Sequence, residues 1–379
     1  SYVGILQSVL GIIDTKNYEY GELFNEINVH TGGIGTSLEM YPDVTKAKEK
    51  EFKATFEMKS KALYNKLPVA FAMMKEILVN SKLDDEKRLI EILDMTKSRL
   101  AKFKDITNGI GFYQTVNDIC EHFDEKKEEL IQNLQKLCKI LFRADNMMIS
   151  YTASEEGLTN MDKFIADLKV DLYKENVEST PCVLHCEKKN EGFKTSSKVQ
   201  YVARAGNFID QGVDYTGALQ ILKVILSYDY LWQNVRVKGG AYGCMSSFNR
   251  LGDGYFVSYR DPNLEKTNEI YEGITDYLRN FNVTDRDMTK YIIGTISNID
   301  QPMNPVAKGD RSLNLYMNRV SKEMIEMERK QILDATQEDI RQLADIVEAV
   351  LNANQLCVIG GEEKIEEQKS LFDEIKDLF

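Results

Sequence analysis

The sequence is poor in the residues that metal and nucleophile chemistry use most. Three histidines, His30, His122 and His185, are scattered over 379 residues. None begins a His-x-x-Glu-His run, the helical spacing that sets two imidazoles and a general base around zinc. The nearest approach, His122-Phe-Asp-Glu-Lys126, has a lysine where the second imidazole would stand and reads as a solvated helix start. His30 and His185 read as structural. No Walker loop, dinucleotide fingerprint or Gly-x-Ser-x-Gly elbow occurs. No apolar run approaches the roughly 18 residues of a membrane span. The first residues, Ser1 to Gln7, lack a basic start before an apolar stretch, so no targeting signal is read. The chain enters an amphipathic pattern at Ser1, which creates the expectation of an upstream portion.

Cysteine and proline are also scarce. The six cysteines, Cys120, Cys138, Cys182, Cys186, Cys244 and Cys357, lack the density and regular spacing of a disulfide framework. They imply a reducing compartment, the cytoplasm or alternatively an organelle matrix. Cys182-Val-Leu-His185-Cys186 is the one cluster. Read as a strand, it puts both thiols on one face and His185 on the other, which is awkward for zinc and fits a buried thiol pair. With six prolines, 43% hydrophobic and 28% charged residues, the composition is that of a folded, helix-rich chain. Sixty acidic against 48 basic residues give a net charge of −12. That balance opposes nucleic acid and anionic membranes and favours cationic partners such as basic peptides.

What is present is a pattern used twice. Ile5, Val9, Ile12 and Ile13 fall on one helical face, and a short helix over 22–27 runs into Asn28-Val-His-Thr-Gly-Gly-Ile-Gly35. Alternation predicts strands over 36–40 and 52–59, with Ala54, Phe56 and Met58 on one face. Helices are expected from Pro68 to Val79, over 84–103 (stripe Leu89, Ile92, Leu93, Thr96, Leu100), over 111–120 and over 125–142. A strand over 146–152 and a helix over 160–172 close the unit. The second half repeats this order: strand 198–203, a helix bearing Leu219, Leu222, Leu226 and Tyr230, a glycine turn, strand 254–259 stopped near Pro262, and helix 264–281. Helices over about 311–325 and from a Thr336 cap to Leu351, with a further helix after Thr284, precede a last strand, 355–359. The expected organisation is α+β. Two homologous α/β domains, 1–173 and 198–379, each have a mostly antiparallel sheet packed with helices, and a polar connection over 174–197 joins them. The first copy lacks an opening strand.

The two glycine turns differ in what they carry. Val29-His-Thr-Gly-Gly-Ile-Gly35 bears no strong donor pair, and Gly32-Gly33 reads as a plain turn. In the second copy, Arg236-Val-Lys-Gly-Gly-Ala-Tyr-Gly243 sets a permanent cation with a fixed fork of donors beside a phenol. Gly239 and Gly240 let a ligand approach the backbone closely. Arg236, Gly239, Gly240 and Tyr242 are therefore the candidate binding residues, with Tyr242 the candidate catalytic donor. No metal site is read.

The stretch Tyr230-Leu-Trp-Gln-Asn-Val-Arg-Val-Lys-Gly-Gly-Ala-Tyr-Gly243 closely resembles the C-terminal half of presequence-protease-like enzymes, a branch of the insulinase/pitrilysin family of zinc peptidases. The earlier stretch from Gly11 to Ile27, with Thr31-Gly-Gly-Ile34, is similar to the start of the third domain of the same proteins. The resemblance implies two halves, each of two α/β domains, closing around a chamber that admits unfolded peptides. It implies that zinc, its His-x-x-Glu-His motif and a distal Glu ligand belong to the N-terminal half, so that this chain binds no metal and is inactive alone. It also implies that Arg236 and Tyr242 reach across the chamber to the substrate near the scissile peptide. Two other roles stay open: a non-catalytic structural or assembly subunit of the same fold, and the non-zinc chain of a two-chain peptidase.

Overall fold

The computed structural model describes residues 2–102, 110–159, 161–174 and 188–378. The chain divides into two compact units, Ser1–Tyr41 with Ala54–Cys182, and Pro42–Lys53 with Val183–Phe379.

In the first unit, α1 (Tyr2–Val9) is followed by α2 (Tyr20–His30), β1 (Ile34–Pro42), β2 (Phe52–Ser60) and α3 (Leu67–Asn80). Then come α4 (Glu86–Lys102), α5 (Ile110–Glu121), α6 (Phe123–Leu141) and α7 (Met161–Asp171). Its core is helical: Ile5, Leu6, Val9, Leu89, Ile92, Leu93, Leu130 and Leu134 have no exposed surface. The α1 face departs from expectation at one residue. The helix stops at Val9 and Gly11 takes φ +89, so Ile13 is buried but Ile12 is 37% exposed. The strand expected over 146–152 is not formed. A 3-10 turn, Ala144–Asn146, leads into irregular chain there. Among the described residues this unit's sheet is the β1–β2 hairpin alone, and near that segment only an isolated bridge joins Arg143 to Tyr173.

One buried carboxylate ties the start of the unit to α3. Glu76, 6% exposed, accepts from Asn17 N (3.1 Å), Asn17 Nδ2 (2.9 Å) and Asn80 Nδ2 (2.6 Å). Burial pushes its carboxyl up, but hydrogen bonds from Asn80, Thr15 and Asn17 outweigh this and hold it below the ordinary glutamate value. A depressed folded value means that the contribution is fully present above the unfolded value and is lost as pH falls through the folded one. Glu76→Ala is expected to cost about 1–3 kcal/mol at pH 7, because it strands buried donors. In urea melts the gap between wild type and variant should narrow below pH about 4. A gap independent of pH would show that the charge of Glu76 contributes nothing.

The second unit starts inside the segment expected as a connection. It comprises β3 (Glu191–Thr195), β4 (Gln200–Asn207), α8 (Ala218–Ile225), β5 (Gly243–Phe248), β6 (Asp253–Asp261), α9 (Glu265–Glu272) and α10 (Ile274–Arg279). These are followed by α11 (Asp285–Ile299), α12 (Pro305–Met317), α13 (Lys322–Leu333), α14 (Gln337–Asn352), β7 (Gln355–Gly361), α15 (Glu362–Glu367) and β8 (Glu374–Asp377). The strands form one sheet in the order β5-β6-β4-β7-β3-β8. The first four are antiparallel, whereas β3 pairs parallel with both β7 and β8. The expected 174–197 connection is thus corrected at 191–195. The Cys182–Cys186 cluster lies outside the described residues.

Two long helices are also corrected. The one expected over 264–281 breaks at Gly273, and the one over 311–325 is two helices parted near Arg319, whose φ is +59. Thr284 and Thr336 cap α11 and α14 through their side chains as expected, the latter in a full capping box.

One face of this sheet is sealed. Val202, Phe248, Phe256, Leu356 and Val358 pack with Leu219, Leu222 and Ile225 of α8, Leu278 of α10, and Ile340, Val347 and Val350 of α14. Strand alternation turns Met245, Tyr255 and Tyr259 to the other face, where Met245 and Tyr255 are exposed. The architecture is α+β, and the order helix, glycine turn, hairpin, helix occurs in both units.

Candidate functional site

The site grows out of a change in helix winding. After α8 the chain continues through two π-helical stretches, Leu226–Tyr230 and Trp232–Lys238. Such wide turns are uncommon and concentrate at functional sites. The second stretch carries Arg236, whose guanidinium carbon lies 4.5 Å over the Trp232 ring centroid. That contact holds the side chain to its own helix by cation–π attraction.

The turn that follows is closed by its backbone. The N–H groups of Gly239 and Gly240 both donate to Arg236 O, the second at 2.9 Å, and Ala241 N donates to Val235 O at 3.2 Å. Gly240 takes φ +84. A Cβ on Gly239 would lie 2.4 Å from Val235 O, so only glycine fits. Gly239 O accepts from Asn263 Nδ2 at 2.7 Å. With these groups engaged internally, what the glycines offer is the shape of the turn.

Ala241 points into the core and Tyr242 out of it, 57% exposed. The structure brings the two sequence-predicted side chains together: the Arg236 guanidinium carbon is 5.5 Å from the Tyr242 ring centroid. The Tyr242 ring packs edge-on against Tyr259 at 5.6 Å. No hydrogen bond among the described residues engages the Tyr242 hydroxyl, so its donor is free for a ligand. Cys244 lies just beyond. Burial pushes its thiol up to about 11 against the opposing pull of Arg236, so it is neutral and a poor nucleophile at pH 7.

The sequence reading missed the support beneath this turn, Tyr259-Arg-Asp-Pro-Asn263. Tyr242 N donates to Arg260 O at 3.2 Å. Asp261, with no exposed surface, accepts from Asn263 N at 2.9 Å and Thr267 Oγ1 at 2.7 Å. Asn263 therefore links a buried carboxylate to the Gly239 carbonyl. The signal was in the sequence, since Asp and Asn flanking a proline are turn chemistry, but it was read only as the end of a strand.

Among the described residues no group of three His, Cys, Asp or Glu side chains could hold a metal ion. This chain's donors therefore do not fit a zinc site. Also among the described residues, no helix is long and apolar enough to cross a membrane.

Comparison with known proteins places this geometry. Residues 190–362 match the family described as the PreP C-terminal domain, and residues 1–103 match the family described as associated with the M16 peptidases of subfamily C. The whole chain is 36% identical to Protein HypA of Clostridium perfringens, of which it covers 41%. It is 26% identical, over 96% of its length, to the chloroplastic/mitochondrial presequence protease 1 of Arabidopsis thaliana, of which it covers 36%. The chain thus spans about two fifths of these curated relatives. Among solved structures, a protease from Helicobacter pylori superposes with a TM-score of 0.59 at 14% identity, over 95% of this chain and 89% of that one.

Proposed function

Because the chain belongs to the presequence-protease branch of the M16 peptidases and matches their C-terminal half, we propose that it is the substrate-gripping half of a zinc-dependent endopeptidase that degrades unfolded peptides in an enclosed chamber. Its partner in this reading is the N-terminal half, which carries the zinc and supplies the hydrolytic chemistry. The observation that supports the reading is the convergence of Arg236 and Tyr242 on one exposed turn, with the Tyr242 hydroxyl free. Beside them β5 is an edge strand with Met245 exposed, a surface on which an extended peptide can add main-chain hydrogen bonds. Arg236 holds the peptide backbone, and Tyr242 donates to the carbonyl oxygen as it gains charge. The net charge of −12 steers basic segments toward the chamber. The reducing setting is the cytoplasm or an organelle matrix.

The test is fluorescence anisotropy of a labelled unfolded peptide with the 379-residue chain. Binding should weaken about tenfold or more in Arg236→Ala, the loss of a charge-assisted contact. The chain alone should cleave nothing. No binding, or equal binding by the variant, would favour a structural or assembly subunit instead.

A further inference from the structure

We propose that Arg260, on the neighbouring strand, is a second cationic anchor of this site, and that with Arg236 it reads a carboxylate on the bound peptide. The inference rests on the peptide-binding reading above and adds to it a residue and a substrate preference.

The backbone is the first observation. Where β4 advances from Gln200 to Val202, β6 runs from Asp261 back to Ser258, one residue more. The surplus is a β-bulge at Tyr259 and Arg260, and Arg260 takes φ +48. That left-handed conformation costs a non-glycine residue about 1–2 kcal/mol. Glycine is the comfortable occupant of such a slot, and bulges beside functional sites commonly serve to re-aim a side chain. An arginine here gains nothing from its backbone, so its side chain has to justify the position.

Packing does not supply the justification. Arg260 is exposed, and its guanidinium carbon lies 5.5 Å from the Tyr242 ring centroid, the same distance as that of Arg236. The two guanidinium carbons are therefore no further apart than twice that distance. Among the described residues neither forms an ion pair with a carboxylate. Two permanent cations on one phenol repel each other until an anion arrives, and the bulge holds the second cation in place beforehand.

Chemistry selects the anion. A guanidinium fork matches a planar carboxylate, and an unfolded peptide carries that group at its C-terminus and on Asp or Glu side chains. The chain's overall negative charge acts at long range on the peptide as a whole, whereas this pair acts at contact on one group. The two preferences are compatible in a peptide that is basic along its length and carries one well-placed carboxylate.

The test uses three labelled unfolded peptides with the 379-residue chain: one with a free C-terminus and a single internal Glu, its C-terminal amide, and its Glu→Gln version. Wild type should bind the first about tenfold more tightly than whichever version lacks the recognised carboxylate, and this identifies the source. Arg260→Gly should bind all three alike while melting no earlier than wild type, because glycine relaxes the backbone. Arg260→Lys should keep part of the preference. A preference retained in Arg260→Gly, no preference in wild type, or an Arg260→Gly protein that melts several degrees earlier would each overturn the proposal. If Arg236→Ala weakens all three peptides and Arg260→Gly none, the carboxylate reading falls and the peptide site stands. If neither variant alters any peptide, the peptide site falls with it.

Discussion

Tyr242→Phe in the peptidase assembled from this chain and its zinc-bearing half is expected to lower kcat by about 10²- to 10³-fold with KM little changed. The expectation follows from what the substitution keeps. Phenylalanine retains the ring that packs on Tyr259 and the face that Arg236 and Arg260 approach, so the site holds its shape. Only the hydroxyl is lost. As a nucleophile attacks the peptide carbonyl, negative charge moves onto oxygen, and a donor already in position stabilises that state more than the bound peptide. The free hydroxyl has no internal partner to give up on binding. Its residue is 57% exposed, so folding stability should not change. Steady-state kinetics on a quenched peptide, with thermal melts of the same preparations, measure both. Unchanged turnover would remove Tyr242 from catalysis.

Gly239→Ala should be nearly as damaging for a different reason. Its Cβ would stand 2.4 Å from Val235 O and 2.9 Å from Asn234 O, and both are backbone atoms that cannot rotate away. The turn must shift, and with it the 2.7 Å bond from Asn263 to the Gly239 carbonyl. Displacing a positioned group by about 1 Å can cost about 10² in rate, and kcat/KM should fall by that order. Strain of this kind also costs about 1–3 kcal/mol of stability. Gly21→Ala is the control: nothing lies within 4 Å of the added carbon, the residue sits in α2, and stability should rise by about 0.5–1 kcal/mol. Full activity in Gly239→Ala would mean that the turn does not position the site.

Much of this organisation was readable from residue spacing. Long amphipathic stretches such as α6, with Leu130 and Leu134 sealed in the core, were placed within two residues, because a helix advertises its buried face at every turn. The threonine caps of α11 and α14 were likewise legible. Short strands were not. β3 and β8 span five and four residues, too few to show a period, and they owe their existence to pairing with β7 and with each other. The strand expected over 146–152 fails for the converse reason, since local alternation cannot make a strand without a partner. Within the site, Arg236 and Tyr242 were visible because glycines frame them. Arg260 was hidden because its significance lies in a bulge and a left-handed φ, which only the pairing of β4 with β6 reveals.

The most direct measurement of the central claim is complementation between halves. The zinc-bearing half, made separately, is assayed on a quenched unfolded peptide with and without this chain, and with and without chelator. Cleavage should require both halves, stop on chelation, and fall to near background when the added chain carries Tyr242→Phe. Equal cleavage by the zinc-bearing half alone, or full rescue by the Tyr242→Phe chain, would contradict the assignment of half an active site to this turn.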